Sequence, residues 1–101
     1  MTKEELVDNV VAEIAALSVE DAFIVGNLLT PENNVPEEHM DLWLYYINRK
    51  SEAANDVVES INLVALVIPE EEKRDYYYAM QQGAFGRVEF IRDEERVARL
   101  N

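Results

Sequence analysis

The sequence contains no cysteine and a single histidine, His39. The first absence excludes disulfides, thiolate zinc sites, iron–sulfur clusters and thiol nucleophiles. The second leaves almost no material for a Ser-His-Asp triad or a multi-histidine metal site. Basic residues are also scarce, nine against 21 acids, which sets the net charge at −12. No long hydrophobic run occurs. The most apolar segment, Ile61 to Ile68, is interrupted by Asn62 and falls well short of the ~18 residues that a membrane helix needs. The opening MTKEEL lacks a basic stretch followed by an apolar one, so it does not read as a secretion signal. A cytoplasmic location is expected, in the protein's own cell or in a viral host. With 49% apolar residues in 101, the chain reads as a single acidic helical domain over 1–101 rather than as a solvated tail.

The charge is placed unevenly. Residues 1–41 hold ten acids against Lys3 alone, and residues 42–101 hold eleven acids against eight bases. An anionic pole of this kind repels nucleic acid and anionic lipid and raises the rate of encounter with basic surfaces. Neither direct nucleic-acid binding nor membrane binding is expected, and a basic protein surface is.

The spacing of apolar residues predicts an all-α fold, a compact bundle of four or five helices. Leu6, Val7, Val10, Val11, Ile14 and Leu17 form one stripe of a helix over about 3–17. Ser18, three residues before Asp21, begins a second helix over about 19–29, in which Gly26 is unfavourable unless another group approaches closely. The stretch 30–36, with two prolines and two asparagines, is the clearest loop. Pro36 is suited to the first position of a third helix. That helix is expected to continue, long or gently kinked, as far as Ile68, the alternative being a break at Arg49-Lys50-Ser51 with Ser51 as a cap. Its segment near residues 57–68 is apolar nearly all round and is expected to be the central helix. Pro69 and three glutamates restart the chain as a helix to about Gln82, and Gly83 with Gly86 suggests a turn or a loosened helix. Over Arg87–Leu100, Glu89 with Arg92, Asp93 with Arg96 and Glu95 with Arg99 stand at helical spacing, while 87–91 also alternates as a short strand does.

Two Glu-Glu-x-x-Asp groups, Glu37-Glu38-x-x-Asp41 and Glu71-Glu72-x-x-Asp75, with Glu52, Asp56 and Glu59 between them, resemble the acidic helical motifs of the all-α nucleotide pyrophosphohydrolases. That resemblance implies a magnesium-dependent enzyme acting on nucleoside triphosphates. Both groups also follow a proline at an expected helix start, where the helix dipole alone favours acids. His39 has no second histidine at ligand spacing, and it is expected as an exposed residue in the first turn of a helix. No catalytic residue, cofactor-binding residue or metal ligand is assigned.

Consecutive helix residues point about 100° apart, so Trp43, Tyr45 and Tyr46 cannot share one core face, nor can Tyr76, Tyr77 and Tyr78. Rings left at the surface suit a binding interface. The alternative places them at core boundaries with solvated hydroxyls. Carboxylates one helical turn apart stand about 5–6 Å from each other and can imitate a row of phosphates. In this the chain resembles the general design of small phage-encoded nucleic-acid mimics, among them anti-CRISPR and anti-restriction proteins. The expected function is therefore a non-enzymatic acidic inhibitor or regulator of a basic, nucleic-acid-handling partner. Its partner-binding residues are Glu20, Asp21, Glu32, Glu37, Glu38 and Asp41, with Trp43, Tyr45, Tyr46, Tyr76, Tyr77 and Tyr78 as aromatic anchors. A self-associating structural or adaptor subunit, dimeric through its aromatic faces, is the alternative, and the metal-dependent enzyme is the third reading.

Overall fold

The structure, a computed structural model, describes residues 1–100. Among the described residues there are five α-helices, two 3₁₀ turns and no strand. Helix α1 spans Lys3–Ala15, and Thr2 caps it through a reciprocal pair with Glu5. Helix α2 spans Val19–Leu28, with the Ser18 hydroxyl accepting from the Asp21 backbone N–H at 3.2 Å, as the sequence spacing predicts. The loop then contains two 3₁₀ turns, Glu32–Asn34 and Glu37–His39, before α3 begins at Met40. Pro36 thus precedes a 3₁₀ turn instead of opening α3 itself.

The expected single helix from Pro36 to Ile68 is two. Helix α3 ends at Ile47, and α4 spans Glu52–Ala65. Ser51 causes the break. Its extended backbone lets the hydroxyl accept from the Ala54 N–H at 3.1 Å while donating to the Asp21 carboxylate on α2 at 2.6 Å. A continuous helix would lose both bonds. Helix α5 runs unbroken over Glu70–Leu100. The turn expected at Gly83 and Gly86, and the strand considered for 87–91, are absent. Two mid-helix glycines cost about 1 kcal/mol each, but Met80, Ala84 and Val88, one turn apart, are buried along the same helix and outweigh that cost.

The central helix is α2, not the segment near 57–68. Helices α3, α4 and α5 all pack on α2, and α1 closes the bundle against α4 and α5. Ala22, Ile24, Val25 and Gly26 are buried and Asp21, Phe23 and Asn27 around them are half-buried, so the middle of α2 is covered on every side, while Glu20 and Leu28 near its ends are exposed. Helix α4 buries a single stripe, Ala54, Val57, Ile61, Val64 and Ala65. Beside it Leu63, Leu66 and Val67 are 58%, 75% and 53% exposed. The apolar segment Ile61–Ile68 therefore buries only one stripe and turns the rest outward at an edge of the bundle.

Gly26 has a steric reason. A Cβ there would stand 2.6 Å from the ring of Phe85 on α5, which itself meets Phe23 edge-on with centroids 6.4 Å apart. Gly26→Ala is expected to destabilise by about 1 kcal/mol net, because overpacking of about 1–3 kcal/mol exceeds the helix-propensity gain of about 1. Thermal denaturation should show a lower melting temperature.

Candidate functional site

Helix α3 is held to the bundle by one side only. The indole N–H of Trp43 donates to the backbone carbonyl of Asn27 at 3.1 Å, and Tyr46 stacks on Phe23 with centroids 5.2 Å apart and planes 19° apart. Nothing in α3 is fully buried, and Leu42, Leu44 and Tyr45 face outward. Tyr45 is kept in place from its own surface: Arg49 donates to its hydroxyl at 2.7 Å and lies 5.1 Å above its ring, and the same guanidinium pairs with Glu20. The entrance to this region is pinned at Thr30, whose hydroxyl donates to the Gly26 carbonyl at 2.8 Å and accepts from Gln81 at 2.6 Å.

Four of the six expected acids lie together on this segment. Glu32 in the first 3₁₀ turn, Glu37 and Glu38 in the second, and Asp41 in the first turn of α3 are exposed and form no ion pair among the described residues. The other two have structural partners. Glu20 is paired with Arg49, and Asp21 accepts from Ser51 at the start of α4. The unpaired acidic surface is thus narrower than the sequence suggests, and it is concentrated over residues 32–41 beside three exposed apolar side chains.

The second aromatic run divides. Tyr76 is buried, and its hydroxyl donates to the Ile61 carbonyl at 2.8 Å. Burial, and secondarily the neighbouring Tyr77, pushes its pKa up to about 12. Tyr77 is half-buried and donates to the Asn62 side chain at 2.8 Å. Only Tyr78 stands clear, 62% exposed. Tyr76 is therefore a core residue and not an anchor. The sequence signal of one ring per run at the surface holds for both runs, with Tyr45 and Tyr78 as the outward members.

Two open clefts meet where these segments converge. One, of about 330 Å³, is lined by Phe23, Trp43, Tyr46 and Phe85 with His39 at its edge. The other, of about 530 Å³, is lined by Pro31, Arg74, Tyr77 and Tyr78. Asn34 and Gln81 line both. These two amides were not among the residues singled out from sequence, and neither were Arg49, Leu42 and Leu44. Amides carry no distinguishing local pattern, and Leu42 and Leu44 differ from core leucines only in the side of α3 that they occupy.

No three acidic or histidine side chains converge as a cation site among the described residues. The two Glu-Glu-x-x-Asp groups belong to the 3₁₀–α3 segment, which packs on α2, and to the first turns of α5. The facing-helix arrangement implied by the pyrophosphohydrolase resemblance is not formed. At the far end of α5, Asp93 pairs with Arg96 at 2.7 Å and Glu95 with Arg99 at 3.9 Å, as spacing predicts. Arg92 instead lies 4.9 Å above the ring of Phe23.

Fold and surface together define an acidic all-α bundle with an exposed carboxylate and aromatic face. No helix among the described residues is long and apolar enough to cross a membrane. Comparison with protein-family models, with curated proteins and with solved structures finds no match for the chain.

Proposed function

We propose that this protein is a non-enzymatic binding protein that occupies a basic, nucleic-acid-handling surface of a partner and blocks or regulates it. The observation that carries the reading is the cluster of unpaired carboxylates at Glu32, Glu37, Glu38 and Asp41 next to exposed Leu42 and Tyr45. Charge of one sign without local neutralisation draws in a basic surface from a distance, and the adjoining apolar and aromatic groups hold it once docked. Tyr78 and the cleft beside Pro31 extend the same surface. The inhibitory role follows from competition, because a basic site filled by these carboxylates no longer neutralises phosphates.

Immobilised protein incubated with lysate at low salt is expected to retain basic nucleic-acid-handling proteins that elute at a few hundred millimolar sodium chloride. Retention dominated by neutral or acidic proteins, unaffected by salt, contradicts the proposal. The same electrostatics make a prediction about the isolated chain. Like charges crowded in residues 32–41 and along the first turn of α5 repel one another, so the melting temperature at pH 7 is expected to rise as salt screens them. A flat or falling response means that the acids are dispersed or neutralised and removes the support for a concentrated anionic surface.

A further inference from the structure

Nothing among the described residues requires glycine at Gly83 or Gly86 on steric grounds. Unlike Gly26, each would accept a Cβ with nothing within 4 Å, and neither has a positive φ. Both sit in the interior of a 31-residue helix, where glycine is unfavourable. They lie on one face with Ala79 and Phe90, at the floor of an open apolar groove of about 330 Å³ whose other wall is Val11 and Ala15 of α1. Phe90 is 56% exposed at the end of that groove. The same stripe continues along the free end of α5 through exposed Val97 and Leu100. From Ala79 onward these residues recur at alternating spacings of four and three, the period of a helix-pairing seam. Asp93 is the one charged member of the series, and Arg96 holds it.

We infer that this groove is the contact surface for a second copy of the same chain, with the two α5 helices antiparallel. The face is self-complementary, as a two-fold interface requires. An axis level with residue 88 sets each Phe90 over Gly86 of the partner subunit and each Val97 over Ala79 of the partner subunit, a large side chain against a small one. The free end of α5, whose side chains beyond Ile91 are all exposed, then fills the groove beside the other copy's α1. Charge allows the same surface. Residues 79–101 contain four acids and four bases, so the whole net charge of −12 belongs to residues 1–78. The free end of α5 is therefore neutral in sum, so it can lie beside α1 of the other copy, which carries four acids against Lys3, without adding like charge. Gln81 and Phe85, which line the aromatic cleft, project from the other side of α5, so pairing leaves that cleft free.

Sedimentation velocity at micromolar concentration tests this. Wild type is expected to be a dimer that persists or strengthens at high salt. Gly86→Gln fills open space in the monomer and suits a helix better, so it is expected to fold with its thermal stability in dilute solution kept or raised, yet to weaken the dimer about thirtyfold, as loss of one hot-spot contact does. Phe90→Ser is expected to weaken it similarly with helical circular dichroism unchanged. A monomeric wild type, or a dimer that survives Gly86→Gln, overturns the inference. So does a dimer released by Tyr45→Ser or Tyr78→Ser, which would assign the contact to the aromatic face.

Discussion

Reversing Glu32, Glu37, Glu38 and Asp41 to lysine together is expected to abolish binding of the basic partner, and the loss is expected in the association rate. All four side chains are exposed and unpaired among the described residues, so they act through the long-range field and not through a local scaffold. Steered association typically exceeds unsteered association by about 10–10³-fold, and reversal replaces attraction by repulsion, so a fall of about 10²-fold or more is expected at low salt. Stopped-flow association at several salt concentrations measures it. Glu89→Lys with Asp93→Lys serves as the control, since Asp93 is paired with Arg96 and residues 79–101 are neutral in sum. That pair is expected to change the rate by less than about threefold, the scale of a surface ion pair. Lysine in the first turn of α3 opposes the helix dipole by about 0.3–1 kcal/mol per charge, so circular dichroism must accompany the kinetics.

The second large effect concerns the core. Ile24 on α2 is 2% exposed and is surrounded by the helices that pack on α2, whereas Leu66 after α4 is 75% exposed. Ile24→Ala is expected to destabilise by about 3 kcal/mol, through lost transfer energy and an unfilled cavity. In a domain of this size that is a large part of the total stability, and the melting temperature should fall by well over 10 °C. Leu66→Ala is expected to stay within about 0.5 kcal/mol of wild type. Chemical denaturation of both variants measures the difference. Equal costs would mean that the apolar segment Ile61–Ile68 is packed as its composition suggests and that α2 is not the centre.

These two residues also show what was legible beforehand. Periodicity and capping residues placed α1 and α2 within one or two positions, and the all-α class with them, because Leu6 to Leu17 and Ser18 with Asp21 are local signals. The centre was misplaced because the apolar density of Ile61–Ile68 is a local quantity, and which helix is surrounded depends on partners distant in sequence. The break between α3 and α4 was open for the same reason. Ser51 is a plausible cap in isolation, but its bond to Asp21, thirty residues earlier, makes the break decisive. Gly83 and Gly86 misled in the opposite sense, since burial of Met80, Ala84 and Val88 keeps the helix intact through them.

The candidate face was legible in part. Glu32, Glu37, Glu38 and Asp41 were found from charge and from the absence of nearby bases in the sequence. Glu20 is instead paired with Arg49, a partner 29 residues away that no local pattern marks. Tyr76 could not be separated from Tyr78 by residue type, and only the side of α5 turned toward α4 makes the first a core residue and the second a surface one.

Phosphate imitation is tested most directly by competition on the retained partner. With that partner bound to labelled duplex DNA or RNA, added protein is expected to release the nucleic acid in step with its own binding, because one basic surface cannot neutralise both. A stable ternary complex, with nucleic acid and this protein on the partner together, would contradict the account however tight the binding.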